Sequence, residues 1–320
     1  MSGGSYHPNQ DQLAIAGAMD DALAELLPLA RLHRSHEETA GVWAALDGLG
    51  SFGVSLPEDS GGSGLGIAEE ALIVMSLGHR LASPTVLATV AAAPAVPAEL
   101  RTGAAGTARV AAAYRRGDKV VMVGDADAEL VLVRDGDKSA LYRAAAPNFE
   151  LDSRNWLARL QGVSSLGEPL ASFDAGGLLR LRLLDAAALA GVAQAAVEMG
   201  VEYAKMREQF GRPIGSQQAI KHHCANMAIQ ARCARDQVSF AAVAIEQGRA
   251  DAELSVESAL LVAGTAAIDN AGKNIQIHGG IGFSDEADPH LLVKRAQLLT
   301  ALAGGLEAAT DRLGALPPVQ

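Results

Sequence analysis

The second half of the sequence, from about Asp185 onward, keeps a helical pattern almost to its end. Apolar residues recur there at the spacing that one buried helix face requires. The pattern predicts four long helices, at residues 186–208, 217–247, 252–274 and 289–302. Four such helices in succession favour a C-terminal four-helix domain and exclude a fold made mainly of strands.

The N-terminal part of the sequence has the same helical character. Met19 and Leu23 lie four residues apart, which places them on one face of a first helix. A second helix is expected near residues 38–49 and a third at 67–81. This part, residues 1–107, is therefore predicted to be a helical domain.

Between about residues 108 and 184 the pattern changes to short apolar runs, such as KVVMV and ELVLV. These runs alternate with Gly-Asp turns that begin at Gly117, Gly124 and Gly136. Apolar runs of this length between such turns predict hairpins of a small sheet. The predicted layout is a helical domain, a shortened β domain at 108–184, and a second helical domain at 185–320.

The composition agrees with close-packed helices. Hydrophobic residues make up 49% of the chain but aromatic residues only 4%, so the core must be built mainly from Ala, Leu and Val. Small side chains let helices approach one another, and alanine has the highest helix propensity. The net charge is −11 and no cluster of Lys and Arg occurs. This argues against a nucleic-acid-binding protein, because such a protein needs a basic face.

Two further sequence features bear on metals and on cellular location. Cys224 and Cys233 are too few for a disulfide scaffold, and nine residues of helix turn them to different faces, so a shared metal is not expected. The first twelve residues are polar, and the sequence contains no run of about 18 apolar residues. We therefore expect a soluble cytoplasmic protein with no metal and no membrane segment.

Three motifs, in the expected order, resemble those of the flavin-dependent acyl-CoA dehydrogenases. YAKMREQFGRPIG at 203–215, followed by QQAIKH at 217–222, is similar to the central signature of that family. QIHGGIGF at 276–283 is similar to its second signature, and PEDSGGSGLG at 57–66, followed by LGHR at 77–80, resembles its N-terminal domain. The resemblance implies a mostly α fold with an N-terminal helical domain, a reduced middle β domain and a C-terminal four-helix bundle.

The resemblance also implies a role for six residues of these signatures. In the family they hold the ADP half of FAD, and this FAD belongs to the neighbouring subunit. The residue types suit that role: an arginine can form paired hydrogen bonds with a pyrophosphate, amides can bind a nucleotide, and glycines let backbone N–H groups approach a phosphate. The predicted cofactor-binding residues are Arg207, Phe210, Gln218, Gln276, Gly279 and Gly280.

The residue that would act as the catalytic base is missing. The family removes the α-proton of its acyl-CoA with a glutamate, about twenty residues after the Gly-Phe pair of the second signature, and this count reaches Ala303. Gly305 stands where the family has a threonine that contacts the flavin pyrophosphate. A minority of the family places the glutamate before the first signature, and Leu181 occupies that place. No catalytic residue is therefore predicted in this chain.

The β segment also lacks the two motifs that surround the flavin ring in the resembled enzymes. Trp156 is its only tryptophan, and we expect it to be a packing residue. These losses resemble the truncated, non-catalytic subunit of actinobacterial heteromeric steroid acyl-CoA dehydrogenases. The resemblance implies an α2β2 assembly in which this chain completes the FAD site of a catalytic partner. The acyl-CoA, a steroid-derived thioester, would then bind mainly on the partner.

Two other functions stay open at this stage. One is a self-sufficient homo-oligomeric dehydrogenase with a displaced base, such as Glu286 or Glu307. The other is a structural subunit that binds no flavin. His33 and His36 are spaced for one helix face but have no third ligand at a useful offset, so no metal site is predicted. His278 is expected to be a packing residue.

Overall fold

The computed structural model describes residues 6–34, 38–103, 106–117, 119–124, 128–144, 151–152, 160–163 and 166–317. In this part of the chain, helices precede and follow a seven-stranded sheet. The helices are α1 (Gln10–Leu26), α2 (Ala40–Gly48), α3 (Ile67–His79), α4 (Pro84–Ala92), α5 (Ala98–Arg101), α6 (Ala175–Met206), α7 (Gln218–Glu246), α8 (Ala252–His278), α9 (Pro289–Leu302) and α10 (Leu306–Ala315). The strands are β1 (Thr102–Gly103), β2 (Gly106–Thr107), β3 (Val110–Arg116), β4 (Lys119–Val123), β5 (Leu130–Arg134), β6 (Ala140–Arg143), β7 (Leu151–Asp152), β8 (Leu160–Val163), β9 (Ala171–Ser172), β10 (Glu208–Gln209) and β11 (Arg212–Pro213).

Side-chain caps determine where several helices begin. Asn9 and Gln12 form a reciprocal capping box at the start of α1, with both hydrogen bonds at 2.9 Å. Ser83 caps α4, whose first residue is Pro84, a residue that suits the first position of a helix. Asp174 Oδ1 accepts a hydrogen bond of 2.8 Å from the backbone of the first turn of α6. These caps bind backbone N–H groups that the helices leave without partners.

The start of α6 differs from the sequence prediction, which placed it at residue 186. The helix begins at Ala175, so residues 175–184, which were assigned to the β domain, are its first turns. Apolar side chains cover more than one face of these turns, which hides the one-sided pattern of an amphipathic helix. The buried leucines there are Leu178, Leu181, Leu183 and Leu184. The predicted domain limits themselves stay predictions.

The sheet confirms the two predicted strands and corrects one predicted turn. Its strand order is β7-β8-β4-β3-β5-β6-β9. The β3–β4 and β5–β6 pairs are antiparallel hairpins, but β3 lies between β4 and β5 and pairs in parallel with β5. The turn at Gly124 therefore does not close a hairpin. A Cβ on Gly124 would lie 2.3 Å from Thr85 Oγ1, so the chain passes directly over the start of α4 before it enters β5.

The C-terminal helices form the predicted bundle, with α10 added after α9. Asn270 of α8 is fully buried, and its Nδ2 donates to Ala193 O of α6 at 3.2 Å and to Met227 O of α7 at 2.9 Å. Gly200 of α6 allows a close approach to α8, because a Cβ there would lie 3.3 Å from the Ile277 side chain. These contacts bring the C-terminal ends of α6 and α8 together beside α7.

The helix α6 is long and apolar enough to cross a membrane, and it is the one such helix in the described part of the chain. Of its most apolar window, however, 72% is buried inside the protein. Its apolar surface therefore packs in the core, as in the central helix of a soluble protein.

Candidate functional site

Arg207 and Phe210 lie in a short hairpin that follows α6. Its strands β10 and β11 pair with Gln209 opposite Arg212, and the two residues between them, Phe210 and Gly211, have φ angles of +54° and +76°. A positive φ costs a non-glycine residue about 1–2 kcal/mol. The ring of Phe210 is nevertheless 94% exposed. The hairpin thus keeps an aromatic residue exposed although its backbone is strained. This combination is typical of a residue that contacts another molecule.

The second signature forms the end of α8 and a 3-10 turn, Gly279–Phe283. Gly279 ends the helix with a φ of +66°. Gly282 is required for packing, because a Cβ there would lie 2.9 Å from Ile275 O. Gly280 has neither constraint: its φ is not positive, and no atom of the described residues lies within 4 Å of the place of its Cβ. Gly280 therefore leaves open space on the outside of the turn.

The other two predicted residues lie at helix ends. Gln218 is the first residue of α7 and Gln276 lies in the last turn of α8, and both are exposed. The ends of α6 and α8 are joined by a stack of Tyr203 on His278, with ring centroids 3.9 Å apart. His278 therefore packs, as the sequence predicted. All six predicted residues lie on neighbouring ends of α6, α7 and α8, and their role in binding FAD stays a prediction.

Large apolar side chains of the same two segments are exposed. Besides Phe210, the side chains of Met206 and Phe283 are 71% and 77% exposed. Ile281 in the turn is 47% exposed. Exposed apolar groups of this size are typical of a surface that another protein covers.

Within the described residues, no group of three or more His, Cys, Asp or Glu side chains could hold a metal ion. His33 Nε2 lies 2.6 Å from Asp288 Oδ1 and thus serves a pairwise contact. The two cysteines of α7 are free thiols. His36 and Trp156, for which the sequence made predictions, lie outside the described residues.

Comparison with known proteins identifies the family. Residues 173–315 match the profile described as "Acyl-CoA dehydrogenase, C-terminal domain", and residues 9–106 match "Acyl-CoA dehydrogenase, N-terminal domain". Acyl-CoA dehydrogenase IpdE2 of Mycobacterium tuberculosis (strain ATCC 25618 / H37Rv) is 34% identical over 270 residues, which span 82% of this chain and 81% of that protein. The chain belongs to the acyl-CoA dehydrogenase family. The resemblance read from the motifs is thereby confirmed.

Two solved structures share the fold over nearly the whole chain. The first is "Tcur3481-Tcur3483 steroid ACAD G363A variant", with a TM-score of 0.77, 24% identity, and coverage of 95% of this chain and 97% of that one. The second is the ChsE4-ChsE5 complex from Mycobacterium tuberculosis, with a TM-score of 0.76, 22% identity, and coverage of 99% and 100%. The predicted mostly α acyl-CoA dehydrogenase fold is confirmed. Members of this family are oxidoreductases that act on CH–CH bonds and bind FAD.

The exposed ends of α6 and α8 fit the ADP half of FAD. The space beside Gly280 would admit a phosphate close to the backbone, since no Cβ fills it. Arg207, at the C-terminal end of α6, is exposed and carries a charge that a pyrophosphate would neutralise. Phe210 offers a free ring face beside it. This surface is exposed in the described structure.

An acyl-CoA dehydrogenase needs a base for the α-proton, and the structure shows none at the place that the sequence indicated. Ala303 is the C-terminal cap of α9, and Gly304 and Gly305 follow it with φ angles of +93° and +89°. Residues 302–306 read LAGGL. A shift of one or two positions in the count therefore still brings no carboxylate to this turn.

The alternative positions for a base lie elsewhere in the structure. Leu181, at the second place used by the family, is fully buried in α6. Glu286 lies in the loop before α9 and Glu307 in the first turn of α10, and both side chains are exposed. Neither residue lines the cavity beside Ala303, whose wall includes Leu302 but not Ala303 itself. Both carboxylates therefore lie in solvent and outside that cavity.

The cavity beside Ala303 measures only about 40 Å³ and lies between α4, the sheet, α6 and α9. Its wall includes Leu302 and an ion pair of Arg134 with Asp185. Arg134 Nη1 lies 3.3 Å from Asp185 Oδ1. Burial raises the pKa of Asp185, while the charge of Arg134 acts in the opposite direction. Pockets for small organic ligands usually measure about 300–1,000 Å³. This cavity has no room for an acyl chain.

Sequence reasoning missed a buried charge cluster behind that cavity. Glu257 of α8 is fully buried and lies 2.9 Å from Arg182 Nη1 of α6 and 2.8 Å from Arg312 Nε of α10. A signal was present, because Glu257 interrupts an apolar face formed by residues such as Val256 and Leu260. The cluster joins three helices of the bundle that carries the candidate site.

Proposed function

We propose that this chain is the non-catalytic subunit of a heteromeric, FAD-dependent acyl-CoA dehydrogenase. One contrast carries the proposal: the surface suited to FAD at Arg207 and Gly280 is open on the outside, whereas the place of the base is Ala303, next to Leu302 in the wall of a cavity of only about 40 Å³. A complete enzyme needs both the flavin surface and the base. This chain has the first and lacks the second.

In the proposed complex, FAD bound to the partner supplies the acceptor for the β-hydride of the acyl thioester. The residues of this chain bind and orient the ADP half of that FAD. Arg207 neutralises the pyrophosphate, Phe210 contacts the cofactor with its exposed ring, and Gln218 and Gln276 donate or accept hydrogen bonds at its polar edge. The partner subunit provides the carboxylate that removes the α-proton.

The assembly that we propose is an α2β2 heterotetramer in the cytoplasm, with the acyl-CoA bound mainly on the partner. The names of two structures with this fold support a heteromer: one pairs ChsE4 with ChsE5, and the other pairs Tcur3481 with Tcur3483. The second name also contains the words steroid ACAD, which supports a steroid-derived CoA thioester as the substrate. The exposed Met206 and Phe283 supply apolar surface for the contact between subunits.

The deciding experiment is purification of the tagged chain from its own organism, followed by flavin absorbance and mass measurement of the intact complex. We expect a second, larger acyl-CoA dehydrogenase chain and one FAD per heterodimer. In the complex, Arg207→Ala should lower the FAD content, and Arg235→Ala, which removes an exposed arginine of α7, should not. A chain that alone forms a homotetramer with one FAD per subunit and oxidises an acyl-CoA would overturn the proposal.

Two alternatives give other results in the same experiment. A self-sufficient enzyme with a displaced base would lose most of its activity in Glu307→Gln or Glu286→Gln, whereas both variants should leave the proposed complex unchanged. A purely structural subunit would copurify with its partner but would show the same FAD content in the unmodified complex and in the Arg207→Ala variant. The strained, exposed Phe210 argues against that function, because a scaffold gains nothing from holding a ring in solvent.

A further inference from the structure

We propose that Tyr203 and His278 are positioning residues. They hold the two FAD-binding segments of this chain, residues 203–215 and 276–283, at a fixed distance from each other. The proposal rests on the function proposed above. The two rings stack with centroids 3.9 Å apart and an angle of 23° between their planes. The two rings are therefore in close, nearly parallel contact.

The stack joins the two segments at their bases. Tyr203 lies one helical turn before Arg207, and its carbonyl oxygen accepts the backbone N–H of Arg207 at 2.8 Å. His278 is the last residue of α8 and lies between Gln276 and Gly279. One aromatic contact therefore sets the distance between the arginine of the first signature and the glycine turn of the second.

The ring of His278 has a defined orientation. Its Nδ1 donates to Asn274 O at 2.8 Å, and Asn274 Nδ2 lies 3.1 Å from Met199 Sδ of α6. Burial lowers the pKa of His278, whereas its hydrogen bond to Asn274 O and the negative charge of Asp288 raise it more weakly. Asp288 is itself paired with His33. A neutral imidazole at physiological pH stacks on the phenol without bringing a charge to the surface that receives the cofactor.

The turn after His278 begins with two glycines, which have no side chain to hold them against a neighbouring element. Gly282 packs against Ile275 O, but no described atom lies within 4 Å of the Cβ positions of Gly279 and Gly280. The backbone N–H of Gly279 donates to Gln276 O and Ile275 O, which attaches the start of the turn to α8, and the stack adds a side-chain contact with α6. Loss of the stack would change the geometry of the cofactor-binding surface and not the stability of the fold, since the core contacts of α6 and α8 lie deeper in the bundle.

Three variants of His278 test this inference in the purified complex. Phe keeps the ring and loses the hydrogen bond, Asn keeps a hydrogen-bonding side chain and loses the ring, and Ala loses both. We measure the Kd of FAD for the flavin-stripped complex. His278→Ala and His278→Asn should raise the Kd about three- to tenfold, as expected for the loss of one aromatic pair, and His278→Phe should stay within about twofold of the unmodified complex.

A second pair of variants checks that the effect belongs to the stack. Tyr203→Phe keeps the ring and should match the unmodified complex, while Tyr203→Leu should match His278→Ala, and the double variant should be no weaker than either single one. If His278→Ala leaves the Kd unchanged while Arg207→Ala raises it, the positioning role is wrong and the proposed function stands. If Arg207→Ala also has no effect, the proposed function fails as well. Equal losses in His278→Phe and His278→Ala would overturn the role of the ring.

Discussion

Gly78 of α3 and Gly191 of α6 face each other where the two helices cross. A Cβ on Gly191 would lie 2.0 Å from Met75 O and 3.0 Å from the carbonyl carbon of Gly78, and a Cβ on Gly78 would lie 2.1 Å from Ala188 O. The two backbones touch because neither residue has a side chain. This crossing packs the N-terminal helices directly against the helix that carries Arg207 at its end.

The crossing predicts that Gly191→Ala destabilises the chain. The added methyl group has no space, so the helices must separate, at a cost of about 1–3 kcal/mol of unfolding free energy. Urea unfolding followed by circular dichroism measures this change. Gly17→Ala is the matched control, because Gly17 lies in α1 with no atom within 4 Å of its Cβ position, and it should stabilise the chain by about 0.5–1 kcal/mol. Equal effects of the two variants would contradict the close crossing.

The buried cluster around Glu257 predicts a larger loss. Glu257→Gln leaves the buried Arg182 and the partly exposed Arg312 beside a neutral amide, and breaking a buried pair from one side costs about 3–5 kcal/mol. The same unfolding experiment measures it. Lys205→Ala is the control, because its ion pair with Glu202 is exposed on both sides, and its effect should stay below about 1 kcal/mol. A Glu257→Gln chain as stable as the control would show that the cluster contributes little.

The contact of His79 with Glu198 predicts a pH dependence at acid pH. The hydrogen bond from His79, with Nε2 2.9 Å from Glu198 Oε2, lowers the pKa of Glu198 below its usual range. A carboxyl whose folded pKa is lowered stabilises the fold above its unfolded pKa, and this contribution is lost as the pH falls through the folded pKa. The contribution of Glu198 to stability is therefore lost over a pH range that begins near pH 4.3, the usual pKa of glutamate, and extends below it.

The test compares Tm between pH 6 and pH 3 for the unmodified chain and Glu198→Gln. The unmodified chain should lose more stability across this pH range, by about 0.5 kcal/mol, because the Glu198 side chain is half exposed. Glu202→Gln, on the same helix and exposed, serves as the control and should follow the unmodified curve. If the Glu198→Gln curve also coincides with the curve of the unmodified chain, the contact of His79 with Glu198 is not a source of the pH dependence.

The open space at Gly280 predicts a loss of cofactor without a loss of stability. Gly280→Leu places a side chain where the described chain has no atom within 4 Å, so the free energy of unfolding should change by no more than about 0.5 kcal/mol. In the complex, however, the leucine would occupy the space that the pyrophosphate needs. Flavin absorbance per heterodimer should therefore fall strongly. Gly17→Leu, also in open space, should leave the flavin content unchanged, and a full flavin content in Gly280→Leu would contradict the predicted binding surface.

The sequence predicted much of the fold because the signals involved are local. The periodicity of α7, α8 and α9 and the glycines of the two signatures can be read from neighbouring residues, and they led to the correct family and fold. The start of α6 at Ala175 was missed because leucines cover more than one face of its first turns. The parallel pairing of β3 with β5 was missed because a turn at Gly124 does not indicate which strand its neighbour will join.

By itself, the sequence determined the order of helices and strands, the family, and the absence of a glutamate at Ala303, because each depends on residue types at known spacing. Only the tertiary structure decided what those residues face. Helix packing closed the cavity beside Ala303 to about 40 Å³, stacked Tyr203 on His278, and left Gly280 and Phe210 on the outside. Such contacts join residues far apart in the chain, and close packing, which no local pattern records, selects them.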